Sequence, residues 1–347
     1  MHPYIESRQK DLEKGAYPKQ HLWGCDALQN KGSWSASSIS TNSIRIPKFI
    51  ENLMNRLFFR NSPGLKNEIS AWKASLSNDF IYSVCGPLSL IKYYPSVKVA
   101  SWVFRAPKSK SYNFSNPYHP KNLSSHAGFF CLTPRAEKYF SQFAPSKFMP
   151  WCVDTELFDG EGPNQAIQKP FFLASGKTGR DYKTLAEAAN KVNAELRIIG
   201  PASQKPNILP PNVNWIETSS DPPDQAIDYN TLREWYAQCV AVCIPLNGDS
   251  EDTCGYTNML EGMAMRKPIL MTQTGCLHIK PEMDGFGFEI KPYDTRGWID
   301  AMNGLLNNKQ NAQNLGNIGR EMVEKQFSID RFNSDLVDFI GEILYNK

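Results

Sequence analysis

A chain of 347 residues, 41% apolar and 21% charged, is long enough for two domains with sizeable cores, which excludes a disordered class. A net charge of +3 excludes a dedicated nucleic-acid binder, which carries a pronounced basic excess. Eight scattered cysteines with no Cys-x-x-Cys pair exclude a disulfide scaffold and point to a reducing, cytoplasmic setting.

No basic-then-apolar leader opens the sequence. The longest apolar run, Val240 to Leu246 with Pro245 inside it, is far too short to span a bilayer. A soluble protein is expected, with peripheral contact at the inner face of a membrane as the most it could make. Residues 1–43 contain no apolar strand. Ile46, Ile50, Leu53 and Leu57 then form a helical stripe accompanied by Lys48, Arg56, Arg60 and Lys66. A core-facing helix is the expectation there and a membrane-surface helix the alternative. Asp79–Cys85, Val97–Phe104, Phe129–Leu132 and Phe148–Cys152 are strand candidates with helical stretches between several of them, so a smaller α/β domain is predicted over 1–162. The segment 160–169, polar with Gly162-Pro163, reads as the linker.

From residue 170 the pattern becomes regular. Strands are predicted at Phe171–Ala174, Glu195–Ile199, Val213–Glu217, Val240–Pro245 and Pro268–Thr272. Helices are predicted over Tyr182–Val192, Leu232–Ala237 and Asn258–Met265. Strands alternating with helices imply a doubly wound parallel sheet, placed at 163–327. Phe332, Leu336, Phe339, Ile340, Ile343 and Leu344 make an amphipathic final helix within 328–347. Trp72, Trp102, Trp215 and Trp235 read as core aromatics.

Two segments carry chemistry. Ser175-Gly-Lys-Thr-Gly-Arg-Asp-Tyr-Lys183 brings three cations and two glycines between a strand and a helix, which suits a diphosphate. Gly255-Tyr-Thr-Asn-Met-Leu-Glu261 opens a helix whose amide end is a seat for a phosphate. Asn258-x-x-Glu261 also matches a capping box, so Glu261 has a purely structural reading beside a ligand-binding one. No His, Cys or Asp cluster has metal-ligand spacing, and no Asp-x-Asp occurs.

Together the Lys177–Lys183 loop and the Gly255–Thr272 segment resemble the donor-binding signature of the retaining GT-B glycosyltransferases, the group 1 or family 4-like enzymes. The resemblance implies an α/β fold of two Rossmann-like domains facing a cleft, the C-terminal helix crossing back to the first. It implies transfer of a sugar from a nucleotide diphosphate-sugar to a glycan, lipid or small-molecule acceptor with retention of configuration, and no metal or other cofactor. Lys177, Arg180 and Lys183 would neutralise the diphosphate. Glu261 would hold the ribose, and Gly255, Thr257 and Asn258 would line the phosphate and sugar site. The family pattern has an acid eight positions before Glu261, which here is Thr253; a one-residue shift gives Asp252 the task of gripping the transferred sugar. An acidic surface loop of Asp249, Glu251 and Asp252 is the alternative. In the first domain, Arg105 follows the middle strand where relatives carry a histidine near the donor sugar, with His119 and His126 as loop alternatives. Cys152-Val-Asp-Thr-Glu-Leu-Phe158 resembles the Gly-Val-Asp-Thr-x-x-Phe stretch that closes that domain. A sugar-nucleotide epimerase of the same fold and a non-catalytic sugar-nucleotide binder are the competing readings.

Overall fold

A computed structural model describes residues 12, 14–29, 34–41, 44–59, 61–94, 96–107, 116–161, 169–218, 227–249, 253–274 and 276–345. Counting described residues, the chain forms two compact units. The first takes in Leu22–Pro150 and Phe332–Lys347, the second Ser7–His21 and Trp151–Arg331. The division falls a dozen residues before the predicted 162/163 boundary, because Val153 bridges to Ser328 and the Asp154 N–H donates to Gln20 Oε1. Residues 162–168 of the predicted linker lie outside the described residues.

In the first unit helices α1 (Cys25–Gln29), α2 (Lys48–Leu57) and α3 (Leu65–Ser75) precede β1 (Phe80–Ser83) and β2 (Lys98–Val103). Then come α4 (Pro120–Leu123), β3 (Gly128–Cys131), α5 (Pro134–Phe140) and β4 (Ser146–Phe148). The four strands pair in the order β1-β2-β3-β4, all parallel. The predicted fourth strand, Phe148–Cys152, ends where it was expected to begin; beyond it the Met149 N–H still donates to Cys131 O. The reading of α2 as a core-facing helix fails outright. None of its residues is buried, and Phe49, Leu53 and Leu57 are 73, 53 and 60% exposed. Trp102 is fully buried as expected, whereas Trp72 on α3 is exposed.

The second unit runs β5 (Phe171–Ser175), α6 (Tyr182–Ala189), β6 (Glu195–Pro201), β7 (Val213–Thr218), α7 (Tyr229–Gln238) and β8 (Val242–Ile244). It continues through α8 (Tyr256–Ala264), β9 (Ile269–Thr272), β10 (Gly287–Ile290), α9 (Thr295–Asn307) and α10 (Lys309–Gln326). Acidic or amide side chains begin four of these helices. Asp181 accepts from the Thr184 amide, Asp228 from Thr231, Asp294 from Gly297 and Asn308 from Asn311. β5 is buried along its whole length, as a strand covered on both faces must be. Phe172, Leu185, Leu196, Ile198, Cys243 and Leu270 belong to one core cluster, the phenylalanine, leucine and isoleucine side chains each contributing on the order of 1.5–3 kcal/mol by burial.

The six strands are all parallel, in the order β10-β9-β8-β5-β6-β7. The order reverses between β5 and β8, where Leu173 pairs with Val242 and Ala174 with Cys243. This is the doubly wound arrangement whose switch point lies at those two strands.

The last helix, α11 (Ile329–Tyr345), joins the first unit from Phe332 onward. There Phe332 stacks on Trp102 with rings 5.7 Å apart, Phe339 meets Phe130 edge-on, and Lys98 Nζ donates to the Ile343 and Leu344 carbonyls. Among the described residues no helix is long and apolar enough to cross a membrane. None of the eight cysteines is disulfide-bonded.

Candidate functional site

The switch point brings together the loops that leave β5 and β8, and main-chain bonds lace them. The Asp181 N–H donates to Pro245 O at 3.1 Å and the Asn247 N–H to Gly179 O at 3.0 Å; Arg180 forms an isolated antiparallel bridge with Leu246. Ligands of open α/β sheets bind outside the carboxyl ends of the strands at this kind of reversal.

Arg180 organises the β5 loop from within. Its guanidinium donates to Ser175 O, to Thr178 O at 2.9 Å and to Asn258 Oδ1 at 2.9 Å. Gly176 makes room for it. At φ +136° no side chain is comfortable, and a Cβ there would run into the guanidinium. Lys177 is exposed on the loop and Lys183 is exposed in the first turn of α6. The structure thus separates the three cations that sequence reading grouped. Two face solvent and one is a buried brace.

Helix α8 begins two residues earlier than predicted, with Gly255 as its N-cap in the left-handed region at φ +85°. A Cβ at Gly255 would collide with Ile244, so only glycine lets the turn lie against β8. Lacking a side chain, Gly255 leaves the amide end of α8 without a side-chain cap, and a partial positive charge stays there. Thr257 and Asn258 lie in that first turn, both partly buried. Asn258 ties the two loops together, because its Nδ2 donates to Ser175 Oγ at 2.8 Å while its Oδ1 accepts from Arg180.

The capping-box reading is corrected: Asn258 does not cap the helix, and Glu261 does not reach back to its start. Glu261 is 2% exposed. One carboxyl oxygen accepts from Gln20 Nε2 at 3.1 Å and the other from the Tyr236 hydroxyl at 3.0 Å. Burial pushes its pKa up to about 8, and those two hydrogen bonds pull it partly back. The Tyr236 hydroxyl also receives Asn258 Nδ2 at 3.3 Å, and burial followed by the nearby carboxylate raises its own pKa. A continuous polar chain therefore runs Ser175, Asn258, Tyr236, Glu261, Gln20 and on to the Asp154 main chain. Any ribose contact by Glu261 has to form at a carboxyl already accepting two bonds.

The remaining predicted residues lie elsewhere. Asp252 and Glu251 are outside the described residues. Arg105 belongs to the first unit, exposed just beyond β2. His119 is the N-cap of α4, its Nδ1 accepting from the Lys121 amide. His126 lies in the loop between α4 and β3, as expected, with its side chain buried. Its Nε2 accepts from the Leu88 amide, its Nδ1 bonds to Asn122 O, and burial lowers its pKa to about 4. With both ring nitrogens engaged by main chain, the catalytic part sketched for it has no free atom to act through. Sequence reading missed Tyr236 and Gln20, and it placed Ser175 in the β5 loop without giving it a part. Ser175 follows a recognised strand and was legible in principle. Gln20 lies 241 positions from the acid it binds and carried no local signal. Among the described residues no group of three His, Cys, Asp or Glu side chains is placed to hold a metal ion.

Two parallel-sheet α/β units, the second doubly wound with its polar loops at the switch point, define the GT-B fold. Residues 176–308, which begin at the Arg180 loop and include α8, match the family model of glycosyl transferases group 1. No curated protein sequence matches this chain. Among solved structures the fold is similar to sucrose-phosphate synthase from Thermosynechococcus elongatus, at 15% identity over 88% of this chain and 82% of that one, with a TM-score of 0.64. It is similar also to WaaG, a glycosyltransferase involved in lipopolysaccharide biosynthesis, at 12% identity, 95% and 96% coverage and TM-score 0.63. Anabaena HepE in complex with UDP follows at 10% identity, 79% and 82% coverage and TM-score 0.60. At such identities the likeness is one of fold.

Proposed function

We propose that this protein is a metal-independent glycosyltransferase that moves a sugar from a nucleotide diphosphate-sugar to a glycan, lipid or small-molecule acceptor with retention of configuration. The observation that carries the reading is Asn258, which fastens the lysine-bearing loop after β5 to the amide end of α8 at the switch point. A departing nucleoside diphosphate gathers negative charge. Lys177, Lys183 and the uncapped amides of α8 supply positive charge on the two segments that Asn258 joins. Arg180 holds those segments in register, and Thr257 lines the phosphate and sugar site. Glu261 acts from behind through Tyr236, so we assign it a positioning part rather than a first contact with the ribose. Asp252 remains our candidate for the grip on the transferred sugar and Arg105 for the first unit's contribution. The group 1 family match and the UDP bound by HepE support a nucleotide-sugar donor.

Thermal-shift screening against UDP-, GDP- and ADP-sugars, followed by transfer assays with and without chelator, tests the proposal. Transfer to an acceptor with an unchanged anomeric configuration, insensitive to chelator, is expected. Turnover of the donor without any acceptor would indicate an epimerase, and binding without turnover a non-catalytic sensor.

A further inference from the structure

The turn that leaves β10 carries a residue its backbone does not favour. Lys291 O accepts from the Asp294 amide at 3.2 Å, closing a four-residue turn with Pro292 second and Tyr293 third. Tyr293 stands there at φ +61°, in the left-handed region. A turn with proline second and a positive φ third takes glycine or asparagine at the third place, because a larger side chain crowds the backbone. The turn needs that conformation, since Asp294 must then face the Gly297 amide to begin α9. It does not need a tyrosine to adopt it.

The tyrosine adds a reach across the carboxyl end of the sheet. Its ring is 66% exposed, so burial contributes little, but its hydroxyl donates to Asn247 O at 2.9 Å, in the loop after β8. The two loops touch again at Gly248, which at φ +76° lies against Pro292; a Cβ there would come within 2.6 Å of the proline ring. Asn247 passes the restraint on, its N–H donating to Gly179 O at 3.0 Å. Leu246 beside it donates its amide to Thr272 Oγ1 and bridges to Arg180, which goes on to Asn258 at the start of α8. One hydroxyl on the edge strand's turn is thus joined, through Asn247, Gly179 and Arg180, to both segments of the proposed donor site. A glycine would suit the turn and leave Asn247 O without this donor. We propose that Tyr293 is a positioning residue for the nucleoside diphosphate, resting on the donor site proposed above. It fixes Asn247, and with it the β5 loop, in the arrangement that receives the ligand, and does not touch the ligand itself.

The test sets binding against stability in two variants of the full chain. Tyr293→Phe keeps the ring and the strain and removes the hydroxyl; Tyr293→Gly removes the strain as well. UDP, GDP and ADP are titrated into each protein by calorimetry, and melting temperatures are measured without nucleotide. Both variants should bind the nucleotide that the wild type prefers about three- to tenfold more weakly, as expected for losing one hydrogen bond between neutral groups. Tyr293→Gly should nevertheless melt no lower than Tyr293→Phe. In transfer assays the donor KM should rise by the same factor while the acceptor KM stays unchanged. A residue that only braced the fold would give the reverse, lowered melting in both variants with nucleotide affinity intact, and that result overturns the proposal. Weak binding by Tyr293→Gly beside full binding by Tyr293→Phe also overturns it, since the exposed ring would then be the ligand's own contact. If the wild type binds none of the three nucleotides, the donor site fails and this inference with it. Wild-type binding that survives Tyr293→Phe removes the inference alone.

Discussion

A carboxyl sealed among hydrogen-bond donors behaves unlike one in water. Glu261 keeps its proton up to about pH 8 in the folded chain, against 4.5 for a free glutamate. Between those values the unfolded chain is ionised at this position and the folded one is not, so folding takes up a proton. Stability from this group is full below about 4.5, falls by about 1.4 kcal/mol per pH unit as pH rises, and levels off above 8. His126 has the opposite sense: its pKa of about 4 lies below 6.5, so its contribution is lost as pH falls through that interval. The Glu261→Gln variant removes the first effect and leaves the second. Urea denaturation of both proteins at pH 5 and pH 8.5 should show the stability difference moving in the variant's favour at the higher pH. A difference that does not change with pH would mean the acid is not sealed. The same residue yields a functional test. If Glu261 reaches the donor only through Tyr236 and Asn258, then Tyr236→Phe should weaken donor binding about as much as Glu261→Ala, by roughly 0.5–1.5 kcal/mol for a hydrogen bond between neutral groups. If Glu261 meets the ribose itself, Tyr236→Phe should leave donor affinity nearly intact.

Elements differ in how much of themselves they announce. The alternation of apolar runs with helices from 171 to 272 was readable because the central strands β5, β8 and β9 are buried along their whole length and the helices between carry an apolar face. The β5–α6 loop and the glycine before α8 were readable too, since cations and glycines between a strand and a helix have few other uses. The segment Asn307–Asn317 gave no such signal; its amide-rich sequence masks the junction of α9 and α10, and β10 was hidden by the turns before it. Helix α2 shows a deeper limit. Periodicity finds an apolar stripe but not what covers it, and here Asn55 and Glu51 face α3 while no residue of the helix is buried. Which way Arg180 points was equally unreadable, because its partners are carbonyls, whose positions no side-chain code records. That geometry gives an element-scale prediction. Gly176→Ala places a methyl against the Arg180 guanidinium at a left-handed φ. It should cost about 1–3 kcal/mol of stability and displace the loop. Donor affinity should fall about tenfold even at temperatures where the variant is fully folded by circular dichroism. Unaltered affinity would mean the loop's conformation does not matter to the ligand.

At the scale of the whole molecule, the donor loops and the exposed helix α2 belong to different compact units, Lys177–Lys183 and α8 to the second, α2 to the first. Their responses to ligands should therefore separate in one hydrogen-exchange experiment on the full chain. A nucleoside diphosphate that seats between the β5 loop and α8 binds the folded second unit alone. At a hundred times its dissociation constant it should add about 2.7 kcal/mol to the stability of what it binds. Slowed exchange is expected across 176–183 and 256–261, with the amides of α2 unmoved. Slowing confined to other parts of the second unit would place the ligand away from Asn258 and remove the ground for sugar transfer. Slowing of α2 by the nucleotide alone would show the two units answering to one ligand, and the division of labour between them would have to be redrawn around that coupling.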